Sequence, residues 1–77
     1  MERTEDILAA LARLRPGTTL CPSRLARDLG TTLAQLRPEL GRLALAGRIA
    51  IWQRGRPAAW TSLRGPFRVA PAPARQP

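Results

Sequence analysis

The chain has 77 residues, a formal net charge of +8, one cysteine and no histidine. That length allows one small domain, burying about 60% of the surface its unfolded chain exposes, and so no deep enclosed active site. The lone cysteine and absent histidine exclude an internal disulfide and a multi-cysteine zinc site and remove the commonest general base, which points away from catalysis, metals and cofactors. The apolar stretches fall short of the roughly 18 residues that span a bilayer. Glu2, Glu5 and Asp6 give the N-terminus the reverse of a basic secretory leader. A soluble, cytoplasmic, non-enzymatic domain is expected.

In chain order, Ile7, Leu8, Leu11 and Leu14 recur at helical spacing, with Glu5 and Asp6 in the first turn, where the helix dipole favours acids. Thr4 is the candidate cap, and Pro16-Gly17 stops this first helix. Thr18-Thr19-Leu20 reads as a brief extended segment. A second helix of about two turns starts at Cys21-Pro22-Ser23-Arg24, with Pro22 at the first helical position, an apolar stripe of Leu25, Ala26 and Leu29, and Gly30 as its stop.

Thr31-Thr32 followed by Gln35 fits a capping box that opens a third helix near Leu33. Leu33, Leu36, Leu40, Leu43 and Ala44 keep the helical period up to Gly47. Pro38 interrupts it and leaves two readings open: a kinked helix, or a separate turn over 33–36 ahead of a helix beginning at Pro38.

After Gly47 the period changes to 2. Ile49 and Ile51 fall on one face of a strand, and Arg48, Trp52 and Arg54 on the other. Gly55-Arg56-Pro57 reads as a turn or loop, and Pro57, which has no N–H, argues against a two-residue hairpin on Gly55-Arg56. The return strand is either 58–63 or 66–70. The alternation of Phe67 and Val69 favours the second, with 54–65 as a long loop and Trp60 on or under it. Residues 1–70 are then one domain, and 71–77, rich in Pro and Ala, an extended or disordered tail.

Helix, short extended piece, helix, turn, helix and hairpin is the order of a winged helix-turn-helix: mainly α, with a small antiparallel β wing. Cys21-Pro22-Ser23-Arg24-Leu25-Ala26-Arg27, Leu36-Arg37-Pro38, Ala46-Gly47-Arg48-Ile49, Gln53-Arg54-Gly55-Arg56-Pro57 and Gly65-Pro66-Phe67-Arg68 follow one another in that frame. This series resembles a small bacterial winged-helix family catalogued only as a domain of unknown function, over about Ile7 to Val69. The resemblance implies the fold, with Gly65-Pro66-Phe67-Arg68 entering the last wing strand, and no established activity. The chain departs from the family pattern before Leu36, where a Trp-Arg pair is missing, and after Pro57, where alanines and Trp60 replace polar residues.

Charge is distributed unevenly. Residues 1–39 hold six arginines against five acids, whereas residues 40–77 hold seven arginines and no acid. Such an asymmetry points first to a polyanion. The choice of Arg over Lys is what a GC-rich coding sequence also produces; the loss of acids after Glu39 is harder to assign to codons.

In a helix-turn-helix the second helix enters the major groove. The outward residues there are Thr32, Gln35, Arg37, Glu39, Arg42 and Leu45. Gln35 can pair bidentately with adenine, and Arg37 or Arg42 with guanine. Glu39 opposes phosphates, and Gly41 weakens the helix by about 1 kcal/mol relative to Ala.

On the wing, Arg48, Arg54, Arg56, Arg64 and Arg68 suit phosphates. Five such contacts give a log-affinity against log-salt slope of about −4 to −5. Arg24 and Arg27 either touch the flanking backbone or pair with Asp28 or an N-terminal acid. Trp52 either packs on Arg54 or on the Phe67 strand, or stacks on a base or anchors a protein. Cys21 reads as a small, half-buried residue. The expected function is non-enzymatic binding of double-stranded DNA, with transcriptional regulation as its use. The competing readings are a protein-interaction domain docking through Trp60 or Leu45, and RNA binding by the same wing.

Overall fold

The structure, a computed structural model, describes residues 3–72. Helix α1 (Thr4–Ala12) turns Ile7 and Leu11 fully into the core. Its cap position falls on Arg3 rather than Thr4, and Arg3 makes no side-chain cap bond. Helix α2 (Pro22–Asp28) has Pro22 in its first turn and buries Leu25 and Ala26. At seven residues it persists only because that face is packed away.

Helix α3 (Leu33–Leu45) is one continuous helix that contains Pro38. Of the two readings left open by the sequence, the separate turn is excluded: one helix runs through Pro38. Leu36 and Leu40, both 0% exposed, anchor the turns on either side of the proline, whose ring faces solvent. At its start, Thr32 Oγ1 accepts the Gln35 N–H at 3.2 Å. The Gln35 side chain does not return to the cap backbone as a full capping box would; its Oε1 accepts from Thr31 Oγ1 at 2.8 Å.

The rest of the chain forms a three-stranded antiparallel sheet in the order β2-β1-β3: β1 (Ile49–Gln53), β2 (Arg56–Ala58) and β3 (Arg68–Pro71). Ile49 and Ile51 point into the core, as the period-2 pattern predicts. Two expectations need correction here. The segment 54–65 is not a long loop: it holds a tight turn, β2 and a single 3-10 turn at Trp60–Ser62. A two-residue hairpin does form, one position earlier than the one considered, on Arg54 and Gly55, with Gln53 paired to Arg56.

Both turn residues have positive φ, +53° and +75°, the conformation of a type I′ turn. Pro57 is tolerated because it lies opposite Trp52, one step beyond the pair that closes the turn. In that non-hydrogen-bonded position on an edge strand its missing N–H costs no ladder bond.

Strand β3 joins the other side of β1, with Ile51 opposite Val69 and Trp52 opposite Arg68. The brief extended segment before α2 is realised as a bridge: the Leu20 N–H donates to Val69 O at 2.7 Å, and the Val69 N–H to Leu20 O at 2.9 Å. Pro71, the first residue of the expected tail, belongs to the sheet. The remainder of that tail, 73–77, lies outside the described residues. Helices followed by a small antiparallel sheet give a winged-helix-like arrangement. Its core is centred on Ile7, Leu11, Leu25, Leu36, Leu40 and Val69, each almost wholly buried.

Candidate nucleic-acid interface

All eleven candidate side chains, Arg24, Arg27, Thr32, Gln35, Arg37, Arg42, Arg48, Arg54, Arg56, Arg64 and Arg68, lie on exposed residues. Among the described residues the one ion pair is Arg3–Glu39, so none of the eleven is neutralised by a carboxylate. Neither Arg24 nor Arg27 pairs with Asp28 or with another carboxylate among the described residues.

Four arginines come together around two adjoining depressions. The first, about 500 Å³, lies beside the β1–β2 turn and is bordered by Arg54, Arg64 and Arg68. The second, about 420 Å³, continues toward the starts of α2 and α3 and is bordered by Arg37, Ser23 and Leu33. Cys21, Pro66 and Phe67 are walls common to both, and no carboxylate lines either one. Backbone N–H groups of Arg24 and Ser23, with Arg68 nearby, hold the Cys21 thiol below its usual pKa.

Two residues that sequence reasoning passed over position this rim. The Gln53 amide Nε2 donates to the carbonyls of Arg64 at 2.6 Å and Pro66 at 2.9 Å, fixing the segment that carries Arg64 beside β1. Thr19 receives Arg68: its Oγ1 accepts from Nε, and its carbonyl accepts from Nη2 at 3.2 Å. Arg68 thus ties the α1–α2 connector to β3, and its other N–H groups have no partner among the described residues. Alternation along β1 sends Gln53 to the helix side, but neither contact has a signal in local sequence.

The solvent face of α3 is poorer than expected. Its exposed stripe is Ala34, Gln35, Pro38, Arg42 and Leu45. Arg37 is drawn to one flank, its guanidinium 5.4 Å from the Trp60 ring centroid and 5.3 Å from that of Phe67. It therefore borders the depression instead of standing free for a guanine. Gln35 keeps its amide Nε2, its Oε1 already accepting from Thr31. Arg42 and Arg48 lie toward and beyond the C-terminal end of α3 and line neither depression; Arg56 faces Gln53 across the edge of the sheet.

One further expectation fails, and one left open is decided. Glu39 does not face outward: it is 7% exposed, and its Oε1 accepts the backbone N–H of Arg3 at 2.9 Å. Its other oxygen lies 3.9 Å from Arg3 Nη1. The acid that would have opposed phosphates is thus spent inside the α1–α3 contact, by a partner 36 residues away in sequence.

Trp60 is not a free loop side chain. It meets Phe67 edge-on at 5.6 Å and lies over Gly41, where a Cβ would come within 2.6 Å of the indole nitrogen. The glycine that weakens the helix locally is what admits the indole.

A family model described as protein of unknown function (DUF3253) matches residues 2–71, and the chain belongs to that family. No curated protein matches the chain. No described helix is long and apolar enough to cross a membrane.

Proposed function

We propose that this DUF3253 member is a cytoplasmic, non-enzymatic module that binds double-stranded DNA through the sheet rim, with α3 alongside as an accessory surface and transcriptional regulation as the use. The observation that carries the reading is the convergence of Arg37, Arg54, Arg64 and Arg68 on two adjoining depressions with no carboxylate in their walls. Guanidinium forks at such a rim match phosphate oxygens, and the hairpin turn supplies a narrow edge that can follow a backbone or enter a minor groove.

The internal capture of Glu39 supports the same reading, because it takes the one acid of α3 away from solvent. Recognition by this rim is mainly of the backbone. Gln35 and Arg42 are the only polar side chains on the exposed stripe of α3, so sequence preference is weak.

The test is a titration of labelled duplex DNA at several salt concentrations. Four phosphates neutralised by four arginines give a log-affinity against log-salt slope of about −3 to −4. A slope near zero, or no binding at low salt, overturns the reading.

A second reading has one observation in its favour. Leu45 is 67% exposed, the one large apolar side chain so placed among the described residues. It adjoins a shallow recess with Ala44, Ala59 and Thr61, where a protein partner can dock. Single exposed leucines are common on soluble domains. Loss of a binding partner on Leu45→Glu, with DNA binding intact, would separate this surface from the arginine rim.

A further inference from the structure

The outward face of the sheet carries an apolar row of Ala50 and Trp52, both half-buried, and Ala70, 6% exposed. Alternation sends Trp52 away from Ile49 and Ile51, which face the helices. Across the sheet Trp52 lies directly opposite Pro57 on β2 and Arg68 on β3, and one row further Ala50 lies opposite Ala70. Directly opposed side chains sit about 5 Å apart at Cβ, so the indole has Arg68 as its immediate neighbour on one side and Pro57 on the other.

Next to this row is a depression of about 510 Å³, walled by Ala50, Trp52 and Ala70 on the sheet side and by Leu14, Pro16 and Thr18 on the α1–α2 connector. Arg15 stands at its rim, and no carboxylate lines it. Trp52 and Thr19 are walls of this depression and also of the arginine groove that holds Arg54, Arg64 and Arg68. The indole is therefore a ridge between an apolar hollow and a cationic groove.

We infer that Trp52 is a stacking platform for one unpaired nucleobase of a DNA strand whose phosphates run along Arg54, Arg64 and Arg68. This rests on the nucleic-acid reading above and names the part of the DNA preferred: a single-stranded end or junction, not the interior of a duplex. A paired base has both faces covered by its neighbours in the stack, whereas an unpaired base offers a free face to an aromatic ring. The apolar hollow takes the base while the adjoining guanidinium groups take its phosphates, so the chemistry of one nucleotide is matched on both sides of the ridge. Trp60 cannot serve, because Gly41, Phe67 and Arg37 already occupy its surroundings.

The experiment uses the full chain and three labelled DNAs: a blunt duplex, the same duplex with a short oligothymidine overhang, and the same overhang built from abasic nucleotides. The abasic arm keeps the phosphates and removes the bases. The thymidine overhang is expected to bind about five- to a hundredfold more tightly than the abasic one, the range that one base–aromatic stack supplies. It should also quench indole fluorescence. Trp52→Ala should abolish the quench and bring the thymidine and abasic overhangs to equal affinity, whatever it does to the blunt duplex. Trp52→Leu, which keeps a bulky apolar side chain on the strand, should do the same if the alanine variant unfolds.

Equal affinity for the two overhangs, with the blunt duplex still bound, overturns the stacking inference and leaves the duplex reading in place. A folded Trp52 variant that keeps the preference for thymidine over abasic nucleotides also overturns it. Failure of all three DNAs to bind at low salt overturns both readings.

Discussion

The third helix and the rim of the sheet both present arginines, and folding treats them in opposite ways. On α3, Arg37 is drawn into a stack with Trp60 and Phe67, Glu39 is taken inward by Arg3, and Gly41 is covered by an indole. Much of what a helix-turn-helix would aim at base edges is therefore used to hold the domain together. At the rim, Arg54 and Arg64 make no ion pair among the described residues and border a groove that none of their carboxylates lines. The difference teaches that a recognition surface is located by which side chains internal packing leaves over, and here the sheet leaves more than the helix.

The largest test of that contrast is to reverse charge on one side only. Arg54→Glu combined with Arg64→Glu should weaken DNA binding by more than about a hundredfold at low salt. Gln35→Ala on the helix should change it less than about threefold, and fluorescence anisotropy reads both. Comparable losses from the two variants would erase the distinction.

Gly41→Ala probes the helix side as packing. The added methyl group meets the Trp60 nitrogen at 2.6 Å, and the strain outweighs the roughly 1 kcal/mol of helix propensity gained. A net loss of about 1–2 kcal/mol is expected, seen as a fall in Tm of roughly 5–15 °C for a domain of this size. Glu39→Ala should cost about 1 kcal/mol in thermal unfolding by leaving the Arg3 N–H without its acceptor, and Glu39→Gln less, because an amide oxygen can replace it.

The smallest effect sharpens the rim side. Arg54→Asn places a residue suited to positive φ in the turn, so stability should rise by about 0.5 kcal/mol while DNA affinity falls. A gain in stability with no loss of affinity would mean that Arg54 has no part in binding.

What could be read in the sequence follows from the range of each interaction. The helices and the inward face of β1 are legible because their periods of 3.6 and 2 lie in short windows, and the Thr32 cap is legible because its partner is three residues away. The hairpin is hidden because a type I′ turn usually advertises itself with Asn-Gly, and here Arg54 stands in the first position. The burial of Glu39, the Trp60–Gly41 contact and the Gln53 clamp are all made by residues far apart in the chain. No local pattern announces them. For the same reason the count of arginines after Glu39 could suggest a polyanion, but not that Arg37 would join the rim while Arg42 and Arg48 would not.

Because Leu20 exchanges both of its backbone bonds with Val69, the first connector of the domain is closed by its last strand. During synthesis the three helices leave the ribosome well before Val69, which is 0% exposed once folded. The apolar faces of α1 and of β1 must therefore wait for β3, and the domain shuts in one cooperative step. A nascent or clipped chain that stops short of Arg68 offers chaperones and proteases an open cleft in place of a half-built fold.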